Sequence, residues 1–150
     1  MEFEIEKKEA FTLIGVERHF QVESGKEDVP DFWEEVMLRP SAPVGMFGVC
    51  READELGFDY IIADLYSPWV EIPEGWSVFH CPACTWAVFP VTGPLPESLQ
   101  ETKERVWETW LPENGQWKRA GDFSLEFYAD FDEEDGEEYS EIWIPVVPAQ

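Results

Sequence analysis

The stretch WETWLPENGQWKRAGDFSLEFYADFDEEDGEEYSEIWIPVV, Trp107 to Val147, decides how the fold is read. It closes on a strand pattern from Tyr139 to Val147, in which Glu141 stands two residues before Trp143 and Pro145 marks a break. Successive side chains of a strand point to opposite faces. Glu141 and Trp143 therefore share one face, and Ile142, Ile144 and Val146 share the other. The aliphatic set is the core candidate, which leaves the Glu141/Trp143 face to line either solvent or a pocket.

Working outward, Phe123 to Phe131 reads as a further strand, set off by the strongly acidic turn Asp132 to Glu138. Glu97 to Leu111 carries Leu99, Val106, Trp107, Trp110 and Leu111 at helical spacing and is stopped by Pro112. Thr85 to Val91 precedes it as a strand, with Gly93 to Pro96 as the turn. The first half follows the same order. Phe3 and Ile5 alternate with Glu2, Glu4 and Glu6, and Phe11 to Val16 continues this as one long strand broken near Lys7 to Glu9. Glu23 to Asp28 is a polar loop. A short helix starts at Pro30, with Val29, Phe32, Trp33, Val36 and Met37 on one face, and Pro40 ends it. Val44 to Cys50 and Phe58 to Leu65 are strands joined by the acidic turn Glu52 to Gly57, and Tyr66 to Trp76 is loop.

The predicted class is therefore α+β: strand, helix, strand, strand, twice over, as a module of about residues 1–82 and another of about 83–150 within one domain. If Phe58 to Leu65 is the counterpart of Tyr139 to Val147, Tyr60 stands opposite Glu141 across a pseudo-two-fold axis. A pocket between two half-domains would form there.

Composition narrows the function. A chain of 150 residues, 44% of them hydrophobic, supports one core. A net charge of −23 with only ten Lys and Arg disfavours nucleic acid and anionic membranes, since both need clustered cations. The acidic surface points weakly towards a cationic ligand or partner. No apolar run spans a membrane and the N-terminus has no signal-peptide pattern, so the chain reads as soluble and cytoplasmic.

Cys81 and Cys84 form a CxxC in HCPACTW. A redox pair sits at the start of a helix, where the dipole lowers the thiol pKa, whereas a strand pattern follows here. A structural zinc needs four ligands, and the other candidates, Cys50, His80 and His19, stand at no recognised spacing. The cysteines read as packing residues, with no metal or cofactor expected.

Several motifs together resemble the GyrI-like small-molecule-binding domain, the effector-binding domain of AraC- and MerR-type regulators. They are TWAVFPVTGP (Thr85 to Pro94), WETWLPENG (Trp107 to Gly115), LEFY (Leu125 to Tyr128) and SEIWIPV (Ser140 to Val146). GVE (Gly15 to Glu17), PDFWEEV (Pro30 to Val36), GVC (Gly48 to Cys50) and FDYIIA (Phe58 to Ala63) are similar to the looser first half of that family. The resemblance implies tandem βαββ modules of the SHS2 type, an antiparallel sheet with both helices on one face, and a pocket between the modules. It also implies a pocket of aromatics around an acidic residue, suited to bulky hydrophobic or cationic compounds. Carried over by motif, the ligand-binding candidates are Glu141, Trp143, Trp110 and Tyr128, with Tyr60 added by the repeat. Trp33 and Trp110 stand between core and pocket wall, Trp107 reads as core, and Glu126 reads as a surface strand carboxylate kept as a candidate ligand group.

No helix-turn-helix pattern flanks the domain, so the sequence reads as a stand-alone member rather than a one-component transcription factor. Three functions are open at this point. The first is a binding or sensing module for small hydrophobic or cationic compounds. The second is a hydrolase acting on strained or electrophilic compounds, with Glu141 assisting water. The third is an acidic interaction factor such as a gyrase inhibitor, with a protein partner or homodimer. Binding and hydrolysis need the same pocket.

Overall fold

Period-two alternation dominates the chain, and an α+β structure results. The computed structural model describes residues 2–52, 54–129 and 139–149. In chain order the elements are β1 (Glu4–Lys8), β2 (Phe11–Gln21), α1 (Val22–Met37), β3 (Phe47–Glu52), β4 (Gly57–Leu65), β5 (Ser77–Cys81), β6 (Cys84–Thr92), α2 (Glu97–Arg105), β7 (Trp117–Arg119), β8 (Phe123–Tyr128) and β9 (Tyr139–Pro148). A π-helical turn, Val106–Trp110, and a last turn, Leu111–Glu113, extend α2. The acidic turn expected at 132–138 lies outside the described residues. No helix among those described is long and apolar enough to cross a membrane.

Two compact units divide the chain, Glu9–Ala83 and Met1–Lys8 with Cys84–Gln150. In the first, the antiparallel strands run β3, β4, β2, β5. Helix α1 lays Phe32 and Val36 on Val16, Phe20, Tyr60 and Ile62. Register makes this layer, because Val16 pairs directly with Ile62, and paired residues share a face.

The second unit runs β1, β6, β9, β8, with β7 also on β9, again antiparallel. Ala87 pairs with Ile144 and Phe89 with Ile142. These join Val91, Val146, Leu99, Val106 and Trp110 in one buried cluster under α2. The aliphatic face of β9 is thus core, as alternation predicts, with Ile142 and Ile144 both at 0% exposure.

Several boundaries differ from the sequence reading. Helix α1 starts at Val22 and takes in the supposed loop at 23–28, with Pro30 inside it. Gly25 explains why the early turns hold: it is buried so close to Phe58 that an added Cβ would sit 2.7 Å from the ring, and this packing overrides the Gly and Pro signals. Strand β3 begins at Phe47 rather than Val44, because the N–H groups of Val44, Gly45 and Met46 donate to the Asp64 carboxylate at 2.7, 2.8 and 3.1 Å. Pro145 does not end its strand. It pairs with Trp86 of β6, and its carbonyl accepts from Ala120 N–H at 2.8 Å. Its ring nitrogen faces the same side as that carbonyl, in the gap between the β8 ladder ending at Trp143 and the β7 ladder starting at Val146. No ladder bond is lost there.

Strands β5 and β7 were not expected. The first follows a Pro- and Gly-containing loop, and the second has three residues, too few for a periodic signal. Strand β1 reads locally as the start of β2, yet it pairs with β6, Glu4 opposite Val88 through Lys8 opposite Cys84. The cysteines of the CxxC end β5 and open β6. Burial pushes the Cys84 thiol up, the opposite of the lowering that activates a redox thiol.

Ile142→Ala tests the central layer. A fully buried aliphatic side chain held between β6 and α2 should cost about 2 to 5 kcal/mol on truncation, read as a lower urea midpoint with an unchanged slope. A loss below about 0.5 kcal/mol, the scale of a surface change, would place this residue outside the core.

Candidate functional site

Alternation along β8 places Ser124, Glu126 and Tyr128 on one side, and pairing of Glu126 with Ile142 makes it the side beneath α2. The helix spaces Leu99, Lys103, Val106 and Trp110 four, three and four residues apart, so Lys103 shares its inner stripe with three core residues. The two charges meet there. Lys103 Nζ donates to Glu126 Oε2 at 2.8 Å and the Tyr128 hydroxyl donates to Oε1 at 2.7 Å. Glu126 is 5% exposed, which overturns its reading as a surface carboxylate. Strand periodicity shows which residues share a side but not which side a helix covers.

Trp110 caps the same layer. Its ring meets Phe89 edge-on at 4.9 Å and Phe3 edge-on at 5.0 Å. The π-helical turn positions it: Leu111 N–H bonds to the Val106 carbonyl five residues back, and such widened turns recur at functional sites. Asn114 closes the helix, donating to the Trp110 carbonyl at 3.0 Å and accepting from the N–H groups of Gln116 and Trp117. Beside Trp110 lies an open groove of about 520 Å³, lined also by Arg105, Thr109, Glu113 and Asn114.

Glu141 and Trp143 sit on the opposite face of β9, away from α2. Trp143 Nε1–H donates to Glu141 Oε1 at 2.8 Å and the Tyr139 hydroxyl donates to Oε2 at 2.6 Å. Trp143 is 8% exposed, stacked with Phe127 at 5.7 Å and met edge-on by Trp86 at 5.7 Å. The Lys8 ammonium lies 4.7 Å from its ring centre. This face is therefore an aromatic wall rather than open solvent, with a half-buried carboxylate at its edge.

The unit therefore gathers Glu126, Tyr128 and Trp110 on one side of its strands and Glu141 and Trp143 on the other. In the unit of residues 9–83, Trp33 Nε1–H donates to the Tyr60 hydroxyl at 3.0 Å, and Tyr60 is 1% exposed. Tyr60 belongs to the layer beneath α1, whereas Glu141 faces away from α2, so the two do not hold corresponding faces of their strands. Other carboxylates of that unit are tied down locally. Glu17 accepts from Arg51 and from the Ser77 hydroxyl. Glu35 is held at about 2, well below the usual carboxylate range, by hydrogen bonds from Arg18 and then Arg39.

Lys103 was missed by the sequence reading. Its signal was a charged residue at an inward position of the Leu99, Val106, Trp110 stripe, which asks for a buried partner.

Burial, and next the bond to Glu141, raises the Tyr139 hydroxyl to about 12. The neutral hydroxyl is favoured in the folded state, so its stabilising effect is complete below about pH 10, the ordinary tyrosine value, and is lost as pH rises through the folded value. The gap in urea midpoint between the parent and Tyr139→Phe should be constant from pH 7 to about 9.5 and shrink above about 10. A gap that does not change at high pH would mean that the fold does not raise this hydroxyl above its ordinary value.

The comparisons with known proteins agree with this architecture. The transcriptional regulator BrlR of Pseudomonas aeruginosa is 28% identical over 135 residues, 85% of this chain and 48% of its own length. The chain thus spans about half of that relative. Two solved structures share the fold at 20% identity: SAV2435 bound to tetraphenylphosphonium, at a TM-score of 0.78 over 98% of this chain and 94% of that one, and the integron cassette protein from the mobile metagenome of Vibrio cholerae, at 0.72 over 97% and 95%. The family described as integron-associated effector binding protein matches residues 4–146. With nearly its whole length matched, this chain belongs to the integron-associated effector-binding protein family.

Proposed function

We propose that this protein is an effector-binding module for bulky, hydrophobic and cationic small molecules, and that Glu126 is the carboxylate that meets the charge. The observation carrying this reading is a carboxylate 5% exposed within a layer that also contains Tyr128 and Trp110. Burying an anion costs free energy that a neutral side chain would avoid, so its presence in an aromatic layer speaks for recognition. Aromatic rings add area and cation–π attraction, about 0.5 to 2 kcal/mol per good contact. Tetraphenylphosphonium on a relative of the same fold supports the ligand class, since a lipophilic cation uses both properties. The strand order of each unit also supports a tandem βαββ repeat: β3, β4, β2, β5 in one and β8, β9, β6, β1 in the other place corresponding strands alike.

Glu141 carries the second reading. A lysine ammonium already rests on the Trp143 ring next to that carboxylate, so this aromatic face accepts a cation as well.

Calorimetric titration with tetraphenylphosphonium separates the two. Glu126→Gln should weaken binding by about tenfold or more, the scale of losing a close counter-charge at a partly screened site. A neutral aromatic ligand should lose little, and Glu141→Gln should bind as the parent does. The reverse pattern would move the site to Glu141. Equal affinity in parent and both variants would remove the carboxylate from the recognition scheme.

A further inference from the structure

The Glu126 site as it stands is not an open anion. One carboxylate oxygen is held by the neutral Tyr128 hydroxyl and the other by the charged Lys103 amine. The partners differ in how firmly they are held. The Glu126 side chain is 7% exposed and stands on a strand paired with β9, whereas the Lys103 side chain is 24% exposed and reaches in from the helix. A lysine carries its charge on a flexible four-carbon stem, so the ammonium can move to water while the carboxylate stays. Tyr128 would keep its oxygen throughout.

We propose that Lys103 is an internal counter-ion that a cationic ligand must displace from Glu126, and that this one residue sets the charge selectivity of the site. The inference rests on the reading of Glu126 as the ligand carboxylate. It follows from competition: the free protein already satisfies the carboxylate, so a cation gains only the difference between its own contact and that of the lysine. A neutral ligand leaves the pair in place. The buried pair also keeps the empty site folded, because a lone carboxylate there would be costly.

The test uses naphthylmethyl-trimethylammonium as the cation and naphthylmethanol as its neutral counterpart, titrated into the parent, Lys103→Met, Lys103→Arg, Glu126→Gln and the Lys103→Met/Glu126→Gln double variant. Lys103→Met should bind the cation about tenfold or more tightly than the parent, the scale of one charge-assisted contact. The neutral compound should change less than about threefold, which is within the range of a small packing change. Lys103→Arg keeps a counter-ion on Glu126 and should show no such gain, and the gain should vanish in the double variant. An equal change for both probes, no gain, or no binding of the cation by Lys103→Met overturns the proposal. If Glu126→Gln lowers cation affinity while Lys103→Met changes nothing, the lysine proposal fails and the carboxylate reading stands. If Glu126→Gln leaves cation affinity unchanged in the Lys103→Met background, the carboxylate reading itself fails. A second measurement needs no folded variant: mass-spectrometric acetylation of the parent's lysines should show Lys103 protected in the free protein and more reactive with the cation bound. Unchanged or lower reactivity with the cation would refute displacement.

Discussion

Strand β9 has hydrogen-bonded neighbours along both edges and buried side chains on both faces, and the rest of its unit follows from that constraint. From Ser140 to Val146 every side chain but Glu141 is buried. A strand covered on one face only could alternate apolar with polar, but a strand covered on both must supply apolar groups to each. The aliphatic set Ile142, Ile144 and Val146 packs beneath the helix, and Trp143 packs with Trp86 and Phe127 on the other side. Glu141 is tolerated because Trp143 and Tyr139 each donate to one of its oxygens, so the carboxylate is compensated before any ligand arrives.

That difference in surroundings separates the carboxylates of this acidic chain. With 33 acidic and ten basic side chains, carboxylates outnumber cations more than threefold. The few cations go to particular places. Arg18 and Arg39 hold Glu35 at the surface, Arg51 holds Glu17, and Lys103 reaches under the helix to Glu126. Surface pairs of this kind contribute little. The pair at Glu126 is the most buried among them, and there the loss of either partner has consequences for folding.

Chemistry and cover thus coincide at one point of the unit. The helix that closes the core also brings the lysine, and its π-helical turn brings Trp110; on the proposed reading, the residues that stabilise the empty layer are also those a ligand would meet. Membership of an effector-binding family agrees with a layer built from a buried charge, a tyrosine hydroxyl and an aromatic ring.

Local periodicity determined a good deal by itself. The aliphatic face of β9, the pairing of strand and helix patterns in each half, the helical spacing of Leu99, Val106 and Trp110, and the motifs of the second half were all legible, because each depends on residues a few positions apart. Tertiary structure decided the rest. Helix α1 includes 22–29 because Phe58, about thirty residues later, packs on Gly25. Strand β1 leaves its sequence neighbour for β6, some eighty residues away. Glu126 turned from a surface carboxylate into a buried one because α2 covers its side of β8 and Lys103 comes with it. Alternation assigns residues to faces, but which face is covered, and by what, depends on contacts between distant segments that no local spacing records.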